Sequence, residues 1–234
     1  MTLYIKDAYQ KEFDAKVESV KDGKYIVLDK TLFYPNSGGQ PHDVGILKTE
    51  DGAEYKIVFV GKFSGKISHE VDKEGLKPGD KVHGILNWQR RYMFMRMHTA
   101  AHLLSAIIYK KTGALITGNQ LGEDKSRIDF SLEEFDKDIL MHLQEEANQF
   151  IEEKLPVNTK IISREELEAS EGLSKLAMGL PESVKEVRLV EIPGLDTQPC
   201  GGTHVENLGE IGKIEILKAE NKGKNNRRVY FKVL

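Results

Sequence analysis

The hydrophobic periodicity of the chain changes abruptly near Arg90, and this change constrains the fold more than any other feature of the sequence. Up to Trp88 the chain consists of short β-like runs separated by turn-forming residues. The predicted strands are Tyr25 to Asp29, Gly45 to Thr49, Tyr55 to Val60, Lys66 to Val71 and Lys81 to Trp88. Their close, even spacing favours a small antiparallel barrel over βαβ units. We therefore predict an all-β domain over residues 1–88.

Helical periodicity follows. Apolar residues recur at steps of three and four between Met93 and Ile108, which predicts a helix that ends before Gly113. A second helix is predicted to begin at a capping box formed by Ser131 and Glu134 and to end before Pro156. Its apolar stripe consists of Leu132, Phe135, Ile139, Leu143, Ala147, Phe150 and Ile151.

A third, shorter helix is predicted after the pair Ser163 and Glu166, which matches a capping box. Strands are predicted between and after the helices, at 126–130, 157–163, 186–192, 211–217 and 227–233. Strands mixed with helices favour an α+β two-layer sandwich, and we predict it as a second domain over residues 89–234.

Composition limits the classes of protein that this chain can represent. It has 234 residues, with 34 Lys and Arg against 37 Asp and Glu and a net charge of −3, which excludes a globally basic nucleic-acid binder but not local basic patches. The only cysteine, Cys200, cannot form an intrachain disulfide. Because the N-terminus has no signal-peptide pattern and no run approaches 18 apolar residues, we expect a cytoplasmic protein with no membrane partner.

Two spaced pairs of residues suggest a metal site. His98 and His102 are four residues apart on the first predicted helix, so both imidazoles project from one face. Cys200 and His204 form a second pair, separated by Gly201, Gly202 and Thr203. One sulfur and three nitrogen donors favour zinc over magnesium or calcium, which prefer oxygen.

The sequence leaves open what a metal at these residues would do. Four protein ligands are typical of a closed structural site, whereas a catalytic ion needs an open position. The segment His98-Thr-Ala-Ala-His102 lacks the glutamate that serves as the general base of metalloproteases, so a peptidase is disfavoured. A catalytic zinc would position or activate a water molecule, and no side chain is assigned as the nucleophile.

These residues also carry a family resemblance. The segments from His98 to His102 and from Cys200 to His204, together with Gly118-Asn-Gln120 and Gly209-Glu-Ile-Gly212, resemble the editing domain of alanyl-tRNA synthetases and the related freestanding AlaX proteins. The segment Tyr34-Pro-Asn-Ser-Gly-Gly-Gln-Pro-His-Asp43 is similar to the glycine-rich motif of the medium-length AlaX proteins. The resemblance covers essentially the whole chain.

The resemblance implies a function and an architecture. It implies an N-terminal β-barrel followed by an editing domain, and hydrolysis in trans of the ester between serine, or glycine, and alanine tRNA. Zinc held by His98, His102, Cys200 and His204 would activate water, or would orient the substrate while the terminal hydroxyl of the tRNA assists. The rival functions are a structural-zinc module that binds tRNA without chemistry and a synthetase partner without hydrolytic activity.

Further residues have a functional interpretation and a structural one. Asn119 and Gln120 are expected to bind the substrate amino acid or to hold a water molecule, unless they only belong to a loop turning at Gly118 and Gly122. Gly38 and Gly39 are expected to present backbone N–H groups to the substrate, unless they only form a turn. The basic stretch containing Lys222, Lys224, Arg227 and Arg228, on a predicted hairpin tip, is the candidate tRNA contact, and a second basic pair is Arg90 and Arg91. The sequence indicates no oligomeric state.

Overall fold

The computed structural model describes residues 1–133, 137–170 and 184–234. Its N-terminal part is a closed antiparallel barrel of six strands in the order β1-β2-β5-β4-β3-β6, in which β6 also pairs with β1. The strands are β1 (Glu12–Lys21), β2 (Tyr25–Leu28), β3 (Gly45–Thr49), β4 (Glu54–Phe63), β5 (Lys66–Val71) and β6 (Lys81–Leu86). The predicted barrel is confirmed.

The barrel has one strand that was not predicted, and β2, β4 and β6 begin or end at residues other than those predicted. Strand β1 was not predicted, although Phe13, Ala15 and Val17 alternate with exposed residues and point into the barrel core. The last predicted strand extended to Trp88, whereas β6 ends at Leu86. Asn87 accepts a hydrogen bond from the Arg90 amide and so caps a helix that begins at Trp88.

The remaining elements build an α+β structure with two sheets. A four-stranded sheet has the order β12-β13-β8-β7, and a three-stranded sheet has the order β11-β10-β9. The elements are α1 (Trp88–Thr112), β7 (Ile116–Gln120), β8 (Ser126–Phe130), α2 (Lys137–Glu153), β9 (Asn158–Ser163), α3 (Arg164–Ala169), β10 (Glu186–Ile192), β11 (Asp196–Pro199), a 3₁₀ helix (Leu208–Ile211), β12 (Ile214–Gly223) and β13 (Asn226–Val233). None of the described helices combines the length and apolar character needed to cross a bilayer.

Helix α1 is the central element of this second part. Its residues from Met93 onward pack with α2 and the four-stranded sheet in one apolar core, which includes Phe94, Leu104, Phe130 and Phe231. The buried members of the predicted α2 stripe are Leu143, Ala147 and Ile151. Glu134, Phe135 and the side chain of Ile139 lie outside the described residues. The predicted capping box of α3 is confirmed, because Ser163 and Glu166 exchange side-chain and backbone hydrogen bonds.

A buried ion pair joins the barrel to α1. The Arg91 guanidinium donates to the Asp43 carboxylate at 2.5–3.1 Å and to the backbone oxygens of Ala8 and Leu32. Both side chains are almost completely buried, with 0% and 1% exposure. Asp43 ends the glycine-rich motif of the barrel, so this contact holds that motif against the helix that carries His98 and His102. Arg91 is therefore a structural residue and not a surface cation.

Candidate metal centre

Helix α1 presents the first pair of candidate ligands. It runs for 25 residues without an interior glycine or proline and ends at Gly113, whose φ of 72° is the left-handed conformation typical of a helix stop. His98 and His102 lie on successive turns, and their ring centroids are 5.2 Å apart. Both residues are 6% exposed, which places them at the edge of the core and not on the solvent face.

The second pair lies on the loop between β11 and the 3₁₀ helix. This loop approaches α1 so closely that a Cβ atom on Gly202 would lie 2.1 Å from Cε1 of His98. Only glycine permits this approach. Arg188 of β10 fixes the loop from the other side, because its Nη1 donates to the backbone oxygens of Cys200 and Gly202 at 2.9 Å.

All four predicted ligands come together in one cluster. One donor atom from each of His98, His102, Cys200 and His204 lies within 4.8 Å of the other three, so a single ion can contact all four. The Cys200 sulfur is 3.6 Å from Nε2 of His98 and 3.3 Å from Nε2 of His204. Zinc bonds of about 2.3 Å to sulfur and about 2.0–2.1 Å to nitrogen place tetrahedral donors about 3.5 Å apart. The spacing therefore fits a zinc-sized ion.

The outer nitrogen of His204 is bound in a way that defines its tautomer. The Thr99 hydroxyl donates its hydrogen to the Met95 carbonyl at 2.9 Å and therefore accepts the bond from Nδ1 of His204 at 3.1 Å. Nδ1 then carries the proton, and the Nε2 lone pair points at Cys200. Such partners orient metal-binding histidines in general.

The outer nitrogens of the other two histidines also contact side chains. The side-chain oxygen of Gln40 accepts from the Thr203 backbone amide at 3.1 Å, which identifies this atom as the amide oxygen; it therefore also accepts from Nδ1 of His98 at 2.9 Å. Nδ1 of His102 lies 3.4 Å from the Asp196 carboxylate and 3.1 Å from the Gln198 amide. His98 therefore presents its Nε2 lone pair to the cluster, whereas Nδ1 of His102 faces both the amide nitrogen of Gln198, which is a donor, and the Asp196 carboxylate.

The electrostatics of the cluster favour ligation. Burial raises the pKa of the Cys200 thiol, but the neighbouring histidines outweigh burial and hold this pKa well below its usual value. Burial lowers the pKa of His204 to about 3, so its imidazole is neutral. Burial also lowers the pKa of His102, but the charge of Cys200 and the Asp196 carboxylate outweigh it and raise the pKa to about 9. A metal would therefore have to displace a proton from this cluster.

A cavity of about 410 Å³ opens beside the cluster. Its wall includes His98, His102 and Cys200 but not His204, which is buried. This volume lies within the range of about 300–1,000 Å³ that is usual for small-molecule sites. One side of the cluster thus faces a space in which a ligand fits.

The side chains of Asn119 and Gln120, for which the same role is predicted, lie in different surroundings. Asn119 lines the cavity, whereas Gln120 accepts hydrogen bonds from Arg127, its cross-strand partner. The two side chains diverge because Gly118, Asn119 and Gln120 lie in strand β7, where successive residues point to opposite faces. The expectation that these residues form only a loop is wrong, and Gln120 does not line the cavity.

The glycine-rich motif also reaches this cavity. Gly38 lines it, and no described residue accepts a hydrogen bond from the Gly38 backbone N–H. Gly39 has a φ of 82°, and a Cβ atom there would lie 1.6 Å from the Asn119 side-chain oxygen. Its carbonyl accepts from the Leu121 amide at 2.8 Å. The motif is a turn, and the turn also packs against β7.

The predicted basic hairpin is formed by β12 and β13, but some of its charges are engaged within the protein. Lys222 forms an ion pair with Glu220 at 2.8 Å, and Arg228 donates to the Asp129 carboxylate at 2.6 and 2.9 Å. Arg227 donates to hairpin groups that include the Asn221 side chain, and these acceptors leave its charge unpaired.

The tip of this hairpin lies close to the cavity wall in the four-stranded sheet. Arg227 is in register with Phe130, which is in register with the cavity-lining Ile116. Two strand spacings of about 4.8 Å thus separate the two residues at the backbone. Lys224, at the tip, has no ion-pair partner among the described residues.

Two protein-family models match this chain, one in each half. Residues 3–90 match the model described as tRNA synthetases class II (A). Residues 187–230, which include Cys200 and His204, match the threonyl and alanyl tRNA synthetase second additional domain. The segment that carries Cys200 and His204 therefore belongs to a class of domain that is found as an addition to these synthetases.

Full-length relatives narrow this class. The alanyl-tRNA editing protein AlaX-M of Methanosarcina acetivorans is 54% identical over 240 residues, which cover 99% of this chain and 98% of the relative. The AlaX-M protein of Saccharolobus solfataricus is 43% identical, with coverage of 99% and 98%. The chain belongs to the AlaX-M family of alanyl-tRNA editing proteins. It also matches 24% of the length of an alanine–tRNA ligase from Sulfurisphaera tokodaii, at 40% identity.

Several residues that build the site were not predicted from the sequence. Gln40, Thr99 and Asp196 contact the outer nitrogens of the three histidines, and Arg188 holds the loop of Cys200. Of these residues, only Gln40 has a sequence feature that indicates a role at the site, because it directly follows the two glycines of the motif. The others become visible only when distant segments are brought together.

Proposed function

We propose that this chain is a zinc-dependent hydrolase that cleaves, in trans, the ester between a wrong amino acid and alanine tRNA. The observation that carries the proposal is the cluster of His98, His102, Cys200 and His204 at the wall of a ligand-sized cavity. The names of the full-length relatives, alanyl-tRNA editing proteins, support the substrate class.

Zinc is the proposed ion. Three imidazole nitrogens and one cysteine sulfur are a donor set that zinc prefers, and the sulfur–nitrogen distances are compatible with its tetrahedral geometry. When bound, zinc supplies Lewis-acid chemistry, which activates water and polarises carbonyl oxygens. We propose a catalytic ion and not a purely structural one, because three of the four ligands face the cavity.

The protein's own residues hold and shape this site. Thr99, Gln40 and Asp196 orient the imidazoles, which keeps each Nε2 directed inwards. Gly38 and Asn119 line the cavity, and we propose that the Gly38 N–H and the Asn119 side chain contact the aminoacyl group. The nucleophile is proposed to be water, and no side chain is assigned to that step.

The proposed substrate follows from a limit on selectivity by binding. A pocket for alanine cannot strongly reject glycine, which is smaller, or serine, which only adds a hydroxyl group, so a second hydrolytic site is needed. A hydroxyl-bearing amino acid gains a hydrogen bond where a free N–H lines the cavity. We therefore propose serine as the preferred amino acid and glycine as a secondary one.

Binding of tRNA is proposed at the hairpin between β12 and β13. Lys224 and Arg227 are the leading candidates for phosphate contacts, since neither charge is neutralised by a described carboxylate. Lys222 and Arg228 would also contribute to tRNA binding, although the ion pairs that they form with Glu220 and Asp129 partly neutralise their charges. The hairpin lies beside the cavity, where the acceptor end of the tRNA must arrive.

We also propose that residues 1–88 and 89–234 are two domains of one enzyme that acts in the cytoplasm. The buried Arg91–Asp43 pair supports their rigid association. The barrel would then contribute one wall of the cavity through Gly38.

The proposal is tested by deacylation of seryl-tRNA for alanine with native, chelator-treated and zinc-reloaded protein. Activity should disappear with the metal and return with it. Cys200→Ala should lose zinc and activity together, because it removes the thiolate ligand. His83→Ala, which alters a histidine on the barrel surface, is the matched control and should retain both.

Three outcomes would contradict the proposal. Full activity after complete zinc removal would refute the metal mechanism. Zinc and tRNA binding without deacylation would support a structural-zinc module. Activity only after addition of the synthetase would support a partner protein.

A further inference from the structure

Gln40 is the one barrel side chain, among the described residues, that bonds to both ligand-bearing segments. It follows Gly38 and Gly39 in a turn that Ser37 and Gln40 close by mutual backbone hydrogen bonds. Although it lies in the N-terminal barrel region, its side chain is 0% exposed. A fully buried amide needs a partner for each of its polar atoms, and the partners of Gln40 lie at the candidate metal centre.

The Gln40 amide makes three hydrogen bonds. Its oxygen accepts from Nδ1 of His98 at 2.9 Å and from the Thr203 amide at 3.1 Å, and its nitrogen donates to the Thr203 hydroxyl at 2.9 Å. His98 belongs to helix α1, and Thr203 directly precedes the ligand His204. One side chain therefore connects the two segments that supply the four candidate ligands.

The backbone around Gln40 is also anchored to the second part of the chain. The Gly39 carbonyl accepts from the Leu121 amide at 2.8 Å, and Asn119 occupies the space next to Gly39. The buried Asp43–Arg91 pair holds the motif three residues further on. The amide of Gln40 is therefore held from both sides and can impose its geometry on His98.

We propose that Gln40 is a positioning residue for the metal centre, through which the barrel orients His98 and aligns the loop that carries Cys200 and His204. It keeps the proton of His98 on Nδ1 and the Nε2 lone pair directed at the ion. The inference rests on the metal site of the proposed function but not on its hydrolytic activity.

The test measures zinc affinity by competition with a chromogenic chelator. Gln40→Met keeps the length and volume of the side chain but removes all three hydrogen bonds. We expect its zinc affinity to fall about 10- to 100-fold, as is usual for the loss of an outer partner of a ligand. Gln144→Met is the matched control, since it removes an amide that bonds the Ile216 backbone at 2.7 Å, away from the cluster.

Gln40→Glu separates positioning from general structural support. A carboxylate still accepts from His98 and Thr203 and makes the imidazole a more basic ligand. Its zinc affinity should therefore equal or exceed that of the wild type, and the cobalt(II)-substituted protein should keep the absorption bands of tetrahedral sulfur coordination. This variant also carries the test if Gln40→Met does not fold.

The outcomes distinguish this inference from the proposed function. Three results would overturn the inference about Gln40. They are a wild-type zinc affinity in Gln40→Met, an equal loss of zinc affinity in the control Gln144→Met, and a loss in Gln40→Glu as large as that in Gln40→Met. A wild-type protein without zinc affinity would overturn it together with the metal mechanism. A wild-type protein that binds zinc but does not deacylate tRNA would refute only the proposed function.

Discussion

Asp43→Asn tests whether the buried ion pair holds the barrel and the second part of the chain together as one unit. The substitution preserves the shape of the side chain but removes its charge. Arg91 then remains as a buried cation whose acceptors are all neutral, namely the new side-chain amide and the backbone oxygens of Ala8 and Leu32. Because both partners are at most 1% exposed, water cannot replace the lost charge without opening the interface.

The expected cost follows from that burial. Removal of one partner from a buried ion pair typically destabilises a protein by about 3–5 kcal/mol. In a chain of this length, each kcal/mol of lost stability lowers the melting temperature by about 2–4 °C, so the expected decrease is about 6–20 °C. Glu54→Gln breaks the exposed pair with Lys48, whose side chains are 42% and 51% exposed, and should cost about 0–1 kcal/mol.

The measurement is urea unfolding of metal-free wild type and both variants, followed by circular dichroism. Metal-free protein is needed because zinc binding would add its own stabilisation. A loss below about 1 kcal/mol in Asp43→Asn, equal to that in Glu54→Gln, would refute the reasoning, because a buried pair must cost more than an exposed one.

Two further predictions concern pH and salt. Burial lowers the pKa of His69 to about 4 from 6.5, so the unfolded state binds more protons between these values. The free energy of unfolding is therefore highest above pH 6.5 and falls by about 2 kcal/mol by pH 5. His69→Gln should remove this part of the pH dependence when unfolding is measured across that range. An unchanged dependence of the unfolding free energy on pH in this variant would contradict the prediction. Combined substitution of Lys224 and Arg227 by alanine should reduce the salt slope of tRNA binding by about 2. Substitution of the barrel lysines Lys48 and Lys81 by alanine should leave the salt slope unchanged. Equal salt slopes in the two double variants would show that the hairpin does not contact tRNA.

The elements predicted well are those whose signals are local. The steps of three and four around His98 and the capping pair Ser163 and Glu166 define helices without any knowledge of tertiary contacts. The ligand set could also be predicted, because two spaced pairs contain the only thiol and three of the seven histidines. The structure then adds the distances that make one ion sufficient.

The elements missed depend on distant partners. Strand β7 contains Gly118 and a polar pair, and it is a strand because it pairs with β8. The short strand β11 likewise depends on its pairing with β10. Gln40 contacts residues 58 and 163 positions away, and no pattern in its own segment indicates them. Strand β1 is different, because it was missed despite a local signal, the alternation of Phe13, Ala15 and Val17.

The activity that we propose for this chain is the removal of the wrong amino acid from alanine tRNA. The most direct measurement is the rate of single-turnover deacylation of seryl and alanyl esters of the same alanine tRNA by the zinc-loaded protein. We predict faster hydrolysis of the seryl ester, because its hydroxyl would contact the polar wall formed by Gly38 and Asn119. Equal rates for both esters, or hydrolysis of neither, would contradict it.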